Sequence, residues 1–203
     1  MALAALHPMA AAVPGHGVMP QVRRVRPDDA PMIDAFVQQL SLASRQRRFH
    51  AAIRALSDEW LQRMTHPDAE RELALVATVH VNGVEHCVGE ARYALTPDEP
   101  HHREFALVVA DGWQRSGIGR SMLRGLDRHA ARHGVHCLYG DVLRDNLPMI
   151  ELARSLDYRV LRHPAEARLV RVQRVLRTRP ALAVLPRPAI ATARPLQPGA
   201  GFI

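Results

Sequence analysis

Val108-Val109-Ala110-Asp111-Gly112-Trp113-Gln114-Arg115-Ser116-Gly117-Ile118-Gly119-Arg120 is the stretch whose reading decides the fold. An apolar strand runs into a short loop that carries Gln114-Arg115-Ser116-Gly117-Ile118-Gly119. A helix opens directly behind it, with Ile118, Met122, Leu126 and Ala130 four apart on one face. Glycines beside a helix N-terminus leave backbone N–H groups free to point at an anion, and the helix dipole adds to the attraction. Arg115 and Arg120 flank the turn with fixed positive charge. Gln114 to Arg120 is thus a candidate pyrophosphate cradle, the alternative being an ordinary surface turn before an amphipathic helix.

Two nucleotide readings fail. A dinucleotide fold needs G-x-G-x-x-G near the first strand and an acid about 20 residues on, and a P-loop needs G-x-x-x-x-G-K-[ST]. Neither is present, and all 27 basic residues are arginine. The spacing Q-x-x-G-x-G resembles instead the acyl-CoA pyrophosphate signature of the GNAT acetyltransferases, and the resemblance runs from about Val22 to Val175. It implies an α/β fold: a single domain with a mixed, mostly antiparallel central sheet flanked by helices. It also implies acetyl-CoA as acyl donor.

The order of elements agrees. Val22 to Arg26 reads as a strand, Pro27-Asp28-Asp29 starts a helix through Leu40, and Ser41 to His50 reads as an Arg-rich turn. Ser57 caps a second helix to about Thr65. Leu73–Val81 and Cys87–Leu95 read as a hairpin around a type I′ Asn82-Gly83 turn. Pro97 to Pro100 breaks the pattern, and Glu104–Val109 feeds the glycine-rich loop. Gly134 ends the long helix; then come strand Cys137–Val142, helix Leu147–Leu156, and strands Tyr158–Leu161 and Leu169–Val175. Residues 1–20 read as a flexible arm, 21–177 as the catalytic domain, and 178–203, with five prolines, as a Pro/Arg-rich tail.

Composition narrows the class. The 203 residues, 47% hydrophobic and 23% charged, suit one globular domain. The net charge of +7 invites a nucleic-acid partner. Scattered arginines, 4% aromatics and no zinc-finger or RNP-like pattern argue against one. Cys87 and Cys137, inside apolar runs, read as buried free thiols. No apolar run reaches the roughly 18 residues of a membrane span and no signal peptide is evident, so the expected compartment is the cytoplasm. His129 and His133 sit four apart on the long helix, but no third ligand is evident; they read as a solvated face, and no metal is expected.

Acetyl transfer to an amine requires a deprotonated nucleophile, and only about one lysine in 2500 is neutral at pH 7. Glu104 is the candidate base: the lone carboxylate of His101-His102-Arg103-Glu104-Phe105-Ala106-Leu107-Val108-Val109. An edge-strand glutamate paired with Arg103 or Arg92 is the plain alternative. Leu40-Ser41-Leu42-Ala43-Ser44-Arg45-Gln46-Arg47-Arg48-Phe49 and Arg71-Glu72-Leu73-Ala74-Leu75-Val76-Ala77 resemble one GNAT branch, the bacterial protein lysine acetyltransferases that modify acyl-CoA synthetases. That resemblance places the branch's general base on Glu104, although Arg103 replaces the usual preceding alanine. It places pantetheine contacts on Leu107, Val108 and Val109, and an asparagine near the thiol on Asn146, whose plainer role is a helix N-cap. The pyrophosphate set is Gln114, Arg115, Ser116, Gly117, Ile118, Gly119 and Arg120. One departure stands out: the tyrosine that serves many GNATs as acid is Ala153 here, and Asp157-Tyr158 replaces the usual Gly-Phe.

The leading expectation is an acetyl-CoA-dependent N-acetyltransferase acting on a protein lysine. The alternatives are a small-molecule amine acceptor on the same fold, or a non-catalytic CoA-binding module whose Arg45, Arg47 and Arg48 meet an acidic partner.

Overall fold

A strand covered on both faces reads as a near-continuous apolar run, and Leu73 to Val79 is such a run, with Thr78 its one polar member and all seven residues buried. It belongs to β2 (Leu73–Val81), an interior strand, second from one edge of a seven-stranded sheet. The computed structural model describes residues 19–176 except 52, 54, 97 and 98; the expected arm and tail lie outside the described residues but for 19 and 20. Asn82 and Gly83, at φ 51° and 80°, make the expected type I′ turn from β2 into β3 (Val84–Thr96). With β1 (Gln21–Arg24), β4 (Glu99–Val109), β5 (Cys137–Leu143), β6 (Arg159–Arg162) and β7 (Leu169–Val175), the order across the sheet is β1-β2-β3-β4-β5-β7-β6. Every pairing is antiparallel except β4 with β5.

Helices cover both faces. On one, α1 (Ala30–Gln39) and α3 (Asp58–Thr65) pack Ile33, Phe36, Val37 and Met64 against Val76, Cys87 and Val108. On the other, α4 (Ile118–Arg132) and α5 (Leu147–Arg154) pack Met122, Leu126, Ile150 and Ala153 against Leu75, Phe105, Leu138 and Val172. The period of four along α4 is the origin of that contact, since it sets Ile118, Met122, Leu126 and Ala130 in one buried stripe.

Three expectations are corrected. Ser41 to His50 is not a turn but a helix, α2 (Leu42–Phe49). Ser41 Oγ caps it by accepting the Ser44 N–H, and His50 ends it at φ 53°. The segment lacks an apolar stripe because what it buries is Ser44 and the Arg48 guanidinium. β4 begins at Glu99 rather than Glu104, with Pro100 tolerated near the start of the strand. And β4 is no edge: it lies between β3 and β5. Of the expected break at 97–100, residues 97 and 98 lie outside the described residues.

Candidate active site

The parallel pair β4–β5 is hydrogen-bonded only from His102–Glu104 to Cys137–Tyr139. A wedge separates the strands beyond that point. The Phe105 ring presses so close to Gly140 that a Cβ there would sit 2.9 Å from Phe105 Cζ. Past the wedge β4 runs to the glycine-rich loop and β5 to α5, leaving a groove of about 210 Å³ between them. Glu104, Ala106 and Leu107 line one side, Asp141, Val142 and Asn146 the other, and the end of α2 overhangs it with Arg47, Arg48, Phe49 and His50. The edge of β4 facing this groove carries no strand, so its peptide groups are open to an extended ligand.

Glu104 sits where the groove begins. It is exposed to solvent and, among the described residues, makes no hydrogen bond or ion pair. The alternative, a pairing with Arg103 or Arg92, does not occur. Arg103 is buried and donates to the carbonyls of Pro100 and His102. Arg92 donates to Glu90 and to the Met64 carbonyl. Glu104 is only partly shielded from water, and that partial loss of solvent raises its pKa above the ordinary carboxylate value, with the nearby charge of Asp141 raising it further. Arg171, Arg48 and His163 pull the other way without overcoming this. A carboxylate with raised proton affinity and no partner is suited to accept a proton.

Its neighbours on β5 and β7 form a charged row. Glu104 pairs in register with Tyr139, and Asp141 with Arg171. Asp141 Oδ1 accepts from Arg171 Nε at 2.8 Å and Oδ2 from Arg171 Nη2 at 2.9 Å, while His163 Nε2 lies 3.1 Å from Oδ2. Burial alone would raise the Asp141 pKa, but the Arg171 bonds outweigh it and hold the carboxyl below its usual range. Arg48 reaches Glu90, 1% exposed, which Arg92 also holds. Arg48 is therefore committed to a buried acid and not open to an acidic partner.

At the loop, Gly117 has φ 88° with nothing within 4 Å of where a Cβ would stand, and no side chain caps the first amides of α4. Those N–H groups are the available anion donors. Gly119 serves packing instead: a Cβ there would lie 3.1 Å from Leu152 Cδ2. Several side chains of the expected cradle point elsewhere. Ser116 Oγ donates to the Trp113 carbonyl, Gln114 Nε2 to Ser44 Oγ and the Val109 carbonyl, and Arg120 to Ser155. Ile118 is buried in the core. What these residues offer a ligand is backbone, with the exposed Arg115, at φ 64°, beside it. Val108 is buried under α1, Val109 is buried on the α4 side, and Leu107 is partly buried there. Asn146 both caps α5, accepting the Met149 N–H, and lines the groove.

Two connections escaped sequence reasoning. Asp111 accepts from Ser41 N–H, Ser41 Oγ and Ser44 Oγ, tying the start of α2 to the glycine-rich loop. Asp141, Arg171 and His163 meet only through strand register; the acid inside the apolar Cys137–Leu143 run was the one available signal.

The remaining candidates are quiet. Tyr158 donates to Asp127 at 2.6 Å, and its phenol is pushed far above its usual range by burial and by that acid. Ala153 is fully buried. Neither position supplies a proton to the groove. A larger cavity of about 800 Å³ lies between α4 and the β6–β7 edge, but both its carboxylates, Asp127 and Asp157, face Arg174. His129 bridges Tyr93 and Arg24, and burial and neighbouring positive charge push its pKa down to about 4. No group of three His, Cys, Asp or Glu suited to a metal occurs among the described residues. Both cysteines are buried and free, and burial raises both thiol pKa values. No described helix is long and apolar enough to cross a membrane.

A sheet that opens between two parallel strands, beside a helix whose first amides are uncapped, is a geometry for an acyl-pantetheine donor. Residues 37–158 match the acetyltransferase (GNAT) family. The chain belongs to that family. It is an acetyl-CoA-dependent N-acetyltransferase. It is 30% identical over 146 residues to acetyltransferase PA5475 of Pseudomonas aeruginosa, covering 72% of this chain and 78% of that one. Its structure is similar to the GNAT domain of S. lividans PAT, with a TM-score of 0.70, 26% identity, and coverage of 77% of this chain and 90% of that one. A GCN5-related N-acetyltransferase from Kribbella flavida shares the fold of this acetyltransferase at 23% identity and a TM-score of 0.60, covering 77% and 98% of the two chains.

Proposed function

We propose that this acetyltransferase acts on a primary amine, a protein lysine, with Glu104 as general base. The observation that carries the reading is an exposed, unpaired carboxylate of raised proton affinity where β4 and β5 part. The amine enters from the α2 side, past Phe49 and Trp60, whose rings meet edge to face with centroids 5.9 Å apart. Glu104 accepts a proton from the ammonium, directly or through water. The neutral nitrogen attacks the thioester carbonyl, an N–C bond forms, the C–S bond breaks with its electron pair leaving on sulfur, and the second proton of the nitrogen passes to water, leaving a neutral amide. No tyrosine stands at position 153, so the sulfur departs as a thiolate, a good leaving group at neutral pH.

Donor binding is assigned to backbone. The amides from Arg115 to Arg120 hold the pyrophosphate, the open edge of β4 at Leu107, Val108 and Val109 meets the pantetheine, and Asn146 stands on the opposite wall. Protein lysine as acceptor is supported by the resemblance of the sequence motifs of α2 and β2 to the lysine-modifying branch.

The test is Glu104→Gln. Turnover at pH 7 should fall by roughly 10²-fold or more while acetyl-CoA affinity is kept, and the loss should shrink toward pH 10 as the acceptor becomes neutral unaided. Wild-type turnover at pH 7 would remove Glu104 from the chemistry. Labelled acetyl-CoA and a cell lysate, read by mass spectrometry, test the acceptor; label found only on small amines would refute the lysine assignment.

A further inference from the structure

Glu104 works as a base only while no cation claims it. The chain has no lysine, and its 27 fixed cations are all arginines, which do not give up their protons. The groups facing Glu104 are Arg47, Arg48 and His50 from α2, Tyr139 and Asp141 from β5, Arg171 from β7, and His163 beyond β6. Arg171 is close: its guanidinium lies 4.2 Å from the centroid of Tyr139, the register partner of Glu104. An arginine with spare donors there would fork onto the exposed carboxylate.

We propose that Asp141 is a positioning residue, which holds the Arg171 guanidinium so that Glu104 stays unpaired. The inference rests on the reading of Glu104 as the base. Asp141 takes two donors of Arg171 in bidentate fashion, at 2.8 and 2.9 Å. His163 fixes the orientation of that carboxylate. Its Nδ1 accepts the backbone N–H groups of Ala165 at 3.2 Å and Glu166 at 2.7 Å, so the ring proton sits on Nε2 and is donated to Asp141 Oδ2. The Asp141 and His163 side chains are only 13% and 9% exposed, so water competes little for these bonds. The same arrangement recurs on the other wall. Arg48, the second arginine whose field reaches Glu104, is held by the buried Glu90. Each of these two cations is held by an acid other than Glu104, and the base is left without either.

The experiment follows kcat/KM against pH in the full-length protein at saturating acetyl-CoA. Asp141→Asn releases Arg171 toward Glu104 and should move the acidic limb down by about 1–3 pH units. Arg171→Gln leaves Asp141 bare and should move the limb the opposite way, upward. The double variant Asp141→Asn/Arg171→Gln should return it to within about half a unit of wild type. Thermal unfolding establishes that each variant is folded, and Arg171→Gln carries the test alone if Asp141→Asn is not. A limb that stays put in the folded variants, or that falls as far in the double variant as in Asp141→Asn, would overturn the proposal. Glu104→Gln run alongside separates the two failures. A Glu104-dependent rate with an unmoved limb sinks this inference alone, whereas wild-type rates in Glu104→Gln sink the base assignment and this inference with it.

Discussion

Arg48→Met tests whether the wall of the acceptor groove hangs on one buried ion pair. The substitution keeps an unbranched apolar stem beside Phe49, over whose ring the guanidinium now lies at 4.9 Å, and removes only the charge and its donors. Glu90 loses both bonds to Oε2, at 2.9 and 3.2 Å, and keeps the 2.8 Å bond from Arg92 to Oε1. Removing one partner of a buried pair costs about 3–5 kcal/mol, and because Arg92 remains, the low end, about 3 kcal/mol, is expected. For a domain of this size 1 kcal/mol moves Tm by about 2–4 °C, so Tm should fall by roughly 6–12 °C at pH 7. The sign of the pH dependence follows from Glu90. Burial would raise its pKa, but the two guanidiniums hold it below its usual value. Its contribution is therefore present above the ordinary carboxylate pKa and lost as pH falls through the folded value. The gap between wild type and variant should be full at pH 7 and narrow in acid. Calorimetry at both ends of that range is the assay. A Tm within about 2 °C of wild type at pH 7, or a gap that persists unchanged in acid, would refute the reasoning.

The other expectations are narrower. Gly117→Asp places a carboxylate in open space at the uncapped start of α4 and should weaken acetyl-CoA binding by calorimetry with little change in Tm beyond the strain of φ 88°. Gly119→Ala puts a Cβ 3.1 Å from Leu152 and should lower Tm more than it lowers affinity. Gly140→Ala forces the Phe105 ring aside, since its Cβ would meet Cζ at 2.9 Å; a drop in both Tm and turnover is expected, and an unchanged rate would mean the wedge does not set the groove. Glu104→Gln should leave Tm at pH 7 equal or higher, because a carboxyl whose folded pKa is raised loses stability as pH rises through it; a clearly lower Tm would show a structural role.

The elements legible in the sequence were those whose own residues carry the signal. The near-continuous apolar run of β2, the Asn82-Gly83 turn, the Ser57 cap and the period of four in α4 each name their structure locally, and β2 and β7 have the expected bounds. α2 was missed because its inward contacts are a hydroxyl and a guanidinium, which leave no hydrophobic period. The first half of β4 was missed because Glu99-Pro100-His101-His102-Arg103 is poor strand material, held extended by pairing with β3 and β5. At the site, Glu104 and the loop could be named from motif and spacing. Its environment could not, since Asp141, His163 and Arg171 come together only when β5, β6 and β7 are laid in register.

The eight residues of α2 also act as a ruler. At 1.5 Å per residue the helix is about 12 Å long. One end is fixed by Asp111 beside the donor loop, and the other carries Arg48, Phe49 and His50 over the acceptor groove. Inserting or deleting a single residue would turn the far end by about 100° and swing Arg48 off Glu90. Change in this enzyme can therefore accumulate in the loops around α2 and in the residues on its outer face, while its length stays a fixed dimension separating the two substrates.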